Sequence, residues 1–154
     1  MKSIISILLL SILFFACKTT NNNTENSKGD EIASKKVELD KNRIEILDFY
    51  GTHRCTTCKN IEANTRYTLN HVFKKELDDG TIVFKTINFD DDKNEKIVTD
   101  YLAYGTSLFF NVIKNGKEKH IDLSTFSFKW GDNKEKYSRM LEEKIREQLD
   151  ELRQ

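Results

Sequence analysis

The sequence predicts an α/β domain of element order β-α-β-α-β-β-α, a mixed sheet flanked by helices. Three observations predict it. An apolar, partly alternating run over about Arg43–Tyr50 leads through Gly51 to Cys55-Thr56-Thr57-Cys58, where a helical pattern begins. A second run, Thr81–Phe89, is rich in β-branched and aromatic residues, as strands are. Lys114-Asn115-Gly116-Lys117 then joins two further strand-like runs, and Asn-Gly suits the positive φ angles of a tight hairpin.

The N-terminal residues stand outside that domain. Met1-Lys2 is a short positive start, and Ile4 to Phe15 is almost wholly apolar. A run of about twelve residues is short for a membrane span, which needs ~20, and fits the core of a signal peptide. Ala16-Cys17 resembles the lipobox of bacterial lipoproteins, in which the cysteine is lipidated and becomes the new N-terminus. Phe14 and Phe15 depart from the commonest lipobox, and an ordinary secretory signal or an uncleaved anchor is the alternative. Residues 18–40 are polar and include Asn21-Asn22-Asn23-Thr24, too little apolar surface to order themselves, and read as a tether. As a flexible coil it holds the domain roughly 25 Å from the anchor. Ser34–Leu39 reads equally as a short strand or a short helix. The organisation expected is therefore residues 1–17 signal peptide, 18–40 tether and 41–154 domain.

Within the domain, strand one is about Arg43–Tyr50. Helix one runs about Thr56–Leu77, with Cys58, Ile61, Thr65, Leu69, Val72/Phe73 and Leu77 on one face. Asp78-Asp79-Gly80 ends it. After strand two, Asp92 and Glu95 have the spacing of a capping box for helix two, whose inward positions are Ile97, Val98, Tyr101 and Leu102. Leu108–Ile113 is strand three and Glu118–Leu123 strand four. A loop with Phe126, Phe128 and Trp130, expected to fill the core, reaches Gly131-Asp132 and the last helix, striped by Tyr137, Leu141, Ile145, Leu149 and Leu152 with Met140 beside it. Right-handed crossovers would make strands one to three parallel, the hairpin adding an antiparallel edge. Strand one is expected at the centre, with the site at its carboxyl end.

The chemistry concentrates in the cysteines. Of three, Cys17 goes to lipid, leaving Cys55 and Cys58. A bridge between them closes so small a loop that it removes little unfolded-state entropy, so stability is a poor reason for it. At a helix start, unpaired N–H groups and the positive end of the helix dipole favour a thiolate. His53, when protonated, Arg54 and Lys59 do the same. Cys58 falls on the inward face of the helix and Cys55 at its tip. Cys55 is thus the expected nucleophile and Cys58 the resolving thiol.

The element order with C-x-x-C at the first helix resembles the thioredoxin fold over about Arg43 to Leu152. The segment Tyr50-Gly51-Thr52-His53-Arg54-Cys55-Thr56-Thr57-Cys58-Lys59-Asn60-Ile61, running on to Thr65, together with Gly105-Thr106-Ser107-Leu108-Phe109-Phe110 and Lys114–Glu118, is similar to a narrower group. That group is the nitrophenyl compound nitroreductase subunit ArsF family of exported lipoproteins. The resemblance implies a thiol–disulfide electron carrier whose redox group is its own disulfide, with no other cofactor. Thioredoxins carry Trp before the first cysteine and Gly-Pro between the two, where this chain has Arg54 and Thr56-Thr57. Their cis-proline place falls to Ser107 (or Thr106), where a trans peptide is expected, since a cis bond without proline costs about 2.5–4 kcal/mol. Their buried proton-accepting Asp has Asp48 as its candidate, one residue further from the first cysteine than the pattern requires; an exposed edge carboxylate is the alternative.

The expected function is an envelope thiol–disulfide oxidoreductase. Its partners would be protein thiols or disulfides and, from the compartment alone, a membrane thiol electron transporter, with the membrane itself reached through the lipid. Balanced charge, 25 Lys+Arg against 25 Asp+Glu, argues against nucleic acid. The alternative uses the same thiols in a soft His53, Cys55, Cys58 set for Cu(I) or arsenite; a structural zinc site wants a fourth ligand. His71 and His120 are expected to face solvent. Glu142–Arg153 reads as a solvated face with i,i+4 pairs. Asp90-Asp91-Asp92 lacks the spacing of a calcium loop, and helix capping accounts for it.

Overall fold

The computed structural model describes residues 41–154; the expected signal peptide with Cys17, and the tether, lie outside the described residues. The elements are β1 (Arg43–Tyr50), α1 (Thr56–Val72), α2 (Lys74–Asp78), β2 (Ile82–Asn88), a 3-10 turn at Asp92–Asn94, and α3 (Glu95–Tyr101). They continue with β3 (Ser107–Lys114), β4 (Lys117–Asp122), α4 (Ser124–Trp130) and α5 (Lys134–Arg153). The four strands form one sheet in the order β2-β1-β3-β4. β1 is an inner strand, as expected.

The polarity corrects one expectation. β1 and β2 are parallel, but β3 runs antiparallel to β1, with Phe49 opposite Ser107 and Arg43 opposite Ile113. The connecting helices explain the difference. The seventeen residues of α1 rise about 25 Å, enough to carry the chain back along the sheet. The seven residues of α3 rise only about 10 Å, so the chain re-enters the sheet at the end it left. The hairpin then adds β4 antiparallel to β3, with Asn115 at φ 53° and Gly116 at φ 73° forming the turn that Asn-Gly predicts. This mixed, four-stranded sheet flanked by helices is the thioredoxin-like α/β arrangement.

Strand alternation splits the core in two. Ile44 and Ile46 of β1 join Ile61, Leu69, Tyr137, Leu141, Ile145 and Leu149 on the face that α1 and α5 cover. Leu47 and Phe49 join Ile87, Val98, Ala103 and Phe109 on the other face, under α3. That second face turns polar toward the start of β1. There the buried Glu45 carboxylate meets Arg43 at 2.7 Å and Lys85 at 2.9 Å. Burial pushes its pKa up, but the bonds to Lys85 and Arg43 outweigh this and hold it below the usual carboxylate range. Among the described residues no helix is long and apolar enough to cross a membrane.

Several local expectations need correction. The first helix breaks at Phe73, with no proline or glycine to announce it; the break lets both the buried Phe73 and Leu77 of α2 reach the core. The segment after β4 is the helix α4, not a loop. Phe126 and Trp130 pack on the core, while Phe128 is 45% exposed and does not. Asp91, not an Asp92–Glu95 box, caps the turn before α3 by accepting from the Lys93 N–H. Leu102 is 75% exposed, because it ends α3 in the left-handed region at φ 52° and Ala103 takes the buried place instead.

Gly131 joins α4 to α5 where they meet α1. A Cβ added there would stand 2.8 Å from the Ser127 carbonyl oxygen and 3.0 Å from side-chain carbons of Ile61 and Thr57. The Gly131→Ala protein is expected to lose about 1–3 kcal/mol, as overpacked cores do, read as a lower midpoint in urea with an unchanged slope.

Candidate functional site

β1 ends at Tyr50 and delivers the chain to the C-terminal edge of the sheet. The short link to α1 is pinned from the side of β2. The Phe89 ring packs so closely on Gly51 that a Cβ there would come within 2.6 Å of it, and the Thr52 N–H donates to Asp90 at 2.7 Å. The link therefore presents the two cysteines in one place.

Cys55 and Cys58 form a disulfide, with 5.0 Å between their Cα atoms. Cys55 is the N-cap of α1 and is exposed; Cys58, one turn in, is only 7% exposed. The Cys58 backbone N–H donates to the Cys55 sulfur at 3.0 Å, and the first turn of α1 carries no acidic residue. A thiolate on Cys55 would thus have a helix-start N–H aimed at it and no carboxylate opposing it. The outward and inward sulfurs are the ones that helical spacing predicts.

Arg54 makes no hydrogen bond to the Cys55 sulfur. Its guanidinium lies over the Tyr50 ring, 4.7 Å from the centroid, and pairs with Glu62. A single nitrogen, Nη2, donates to the Cys58 carbonyl at 3.0 Å and stands 3.5 Å from Asp48 Oδ2. Arg54 therefore serves the buried half of the site. His53 stands exposed on the link.

Asp48 is fully buried, and an exposed edge position is excluded. Alternation puts it on the same sheet face as Ile44 and Ile46, beneath α1. Its Oδ1 is buried with no hydrogen-bond partner in the protein. Burial pushes its pKa up to about 7; the Arg54 charge opposes the rise and the Glu62 charge adds to it. A carboxyl poised near neutrality can accept or release a proton near pH 7. Deeper on this face, the buried Tyr137 hydroxyl and Thr65 Oγ1 are hydrogen bonded at 2.7 Å.

Ser107 begins β3 opposite Phe49, at the same edge of the sheet; it is buried, and its hydroxyl donates to the Gly105 carbonyl at 3.0 Å. No cis peptide occurs among the described residues, as expected where proline is absent. Among the described residues no three His, Cys, Asp or Glu side chains form a group that could hold a metal ion. His71 is exposed, 3.9 Å from the Tyr67 ring, and His120 is exposed, stacked on Tyr101 at 4.0 Å.

Three positions were missed in the sequence. Glu62 shares Arg54 between the site and the surface, Asp90 pins the link, and Asp132 accepts from Thr57 and Asn60 at 2.8 and 2.9 Å, tying α1 to the start of α5. Only Glu62 left a signal, its i,i+4 spacing to Arg66, with which it pairs at 2.8 Å.

No family model matches the chain, and no curated protein matches it. The chain is similar to solved thioredoxins. The thioredoxin of Fasciola hepatica is 22% identical, over 60% of this chain and 79% of that one, with a TM-score of 0.40. Trxlp of Edwardsiella tarda is 16% identical, over 65% and 89%, with a TM-score of 0.44. The thioredoxin of Trypanosoma brucei brucei is 16% identical, over 75% and 86%, with a TM-score of 0.40.

Proposed function

We propose that this chain is a thiol–disulfide oxidoreductase of the cell envelope, held to a membrane by a lipid on Cys17, that passes two electrons through Cys55 and Cys58. The observation that carries the reading is the asymmetry of the pair. The exposed Cys55 sulfur caps α1 and receives the Cys58 N–H, while Cys58 is buried and its carbonyl is joined through Arg54 Nη2 to Asp48, the only fully buried carboxylate among the described residues. Nothing about stability asks for so small a ring.

In the reducing direction, the Cys55 thiolate attacks a partner disulfide. One partner sulfur leaves as a thiolate, and the other stays bonded to Cys55. The Cys58 thiol then gives its proton to Asp48, and its sulfur attacks Cys55. The Cys55–Cys58 bond forms as the second partner sulfur leaves with the electron pair and takes a proton from water. Electrons for the next cycle come from a dithiol donor, and in the envelope the donor proposed is a membrane thiol transporter. Membership of the ArsF group of exported lipoproteins is part of the same proposal, carried by the motif segment around Cys55 and Cys58.

The test is the reduction potential of the full chain in detergent, equilibrated in metal-free thiol buffers and read by alkylation and intact mass. A reversible two-electron couple between about −120 and −270 mV is expected, the low end marking a reductase and the high end an oxidant. A potential below about −300 mV would instead mark an inert bridge and end the proposal.

A further inference from the structure

Two charged residues beside the site have no part in the scheme above. Arg54 and Glu62 sit with their side chains 16% and 20% exposed, between the buried Asp48 and solvent. Their arrangement is a fork. One arm of the guanidinium, Nη1, holds Glu62 Oε2; the other, Nη2, joins Asp48 Oδ2 to the Cys58 carbonyl. Arg54 Nε and Asp48 Oδ1 are both buried without a partner, so neither side chain is saturated. Glu62 is in turn held at 2.8 Å by Arg66, which is half exposed. Two carboxylates thus compete for one guanidinium, and the nearer contact goes to the one closer to solvent.

We propose that Arg54 and Glu62 are positioning residues for the resolving step, the shared guanidinium holding the Asp48 carboxylate against the backbone of Cys58 and setting the pH range over which Asp48 takes the Cys58 proton. This rests on the oxidoreductase reading and assigns its second half. When Asp48 is ionised, Arg54 compensates it. When Asp48 takes the proton, Arg54 is not stranded in a poorly solvated place, because Glu62 still neutralises it. Asp48 can therefore cycle between its two forms without any other group moving or titrating. The remaining ionisable groups facing Asp48 are Arg66 on α1, whose charge favours the carboxylate, and the Tyr137 phenol on α5, whose pKa burial pushes well up so that it stays neutral. Cys58 supplies the proton.

The two residues act on Asp48 with opposite signs, which separates this role from a merely structural one. Removing the cation removes what favours the carboxylate. Removing the Glu62 charge removes a like charge and leaves the guanidinium to Asp48 alone. The experiment follows the reduced full chain reacting with 5,5′-dithiobis(2-nitrobenzoate) by stopped flow. The first thionitrobenzoate released reports attack by Cys55, and the second reports resolution by Cys58. Arg54→Met is expected to move the pH midpoint of the second release upward by about one unit, slowing it about tenfold below the midpoint. Glu62→Gln is expected to move it downward, and Arg54→Lys to lie between wild type and Arg54→Met. In an Asp48→Asn background, neither change is expected to move it. Shifts of the same sign, or no shift from Glu62→Gln in a protein with wild-type near-ultraviolet dichroism, would overturn the assignment. Absence of any first release in the wild type would instead overturn the oxidoreductase reading itself.

Discussion

At pH 8 the Asp48→Asn protein is expected to be more stable than wild type by about 2–4 kcal/mol and yet to resolve mixed disulfides at least about a hundredfold more slowly. Both effects come from one buried carboxyl. In the folded protein its pKa is pushed from 3.8 up to about 7 by burial. Below 3.8 the group is protonated whether the chain is folded or not, and pH has no purchase on it. Between 3.8 and about 7 the folded state keeps a proton that the unfolded state has lost, so stability falls as pH rises. Above about 7 the cost of the buried charge is constant. Asn carries no such charge, so its advantage is present at pH 8 and absent at pH 3.5. Unfolding by urea at the two pH values measures the stability, and the second thionitrobenzoate release measures the resolution. Equal stability at pH 8 would mean that Asp48 is solvated in the folded protein.

The second large effect is kinetic. Cys58→Ser removes the resolving sulfur and leaves the nucleophile. Because Cys55 is the exposed cap of α1, the variant is expected to stop after one partner sulfur is displaced, accumulating covalent Cys55 adducts that dithiols release. Cys55→Ser leaves only the thiol that is 7% exposed and is expected to form none. Intact mass after exposure to envelope extract, with and without reductant, gives the comparison. If Cys58→Ser forms no adduct while alkylation finds Cys55 free and reactive, exchange through this pair is wrong.

How much of this could be read in the sequence depends on the range of the interaction involved. Arg43–Tyr50, the Asn115-Gly116 hairpin and the opposed exposures of Cys55 and Cys58 are local or periodic, and each is found where its pattern predicts. The antiparallel β3 was not legible. Its direction follows from the shortness of the helix before it, and nothing in the run after Asp92 marks where that helix ends. The break at Phe73 was hidden because packing, not a helix-breaking residue, imposes it. Asp48 could be named but not placed, since one residue of offset from the first cysteine decides a face only once the link is known to be pinned by Phe89 and Asp90. Asp132 left no trace at all, because its partners Thr57 and Asn60 lie 75 and 72 residues away.

The outer strand β4 has a bearing on how such a domain behaves in company. Its residues are Lys117-Glu118-Lys119-His120-Ile121-Asp122, and all but Ile121 are exposed. A free strand edge is a template on which another chain can lay a strand of its own. Here a second copy docking antiparallel would bring the charged side chains of Lys117, Glu118, Lys119 and Asp122 against its own, at the cost of stripping water from each. The charges along β4 thus disfavour edge-to-edge pairing of this sheet.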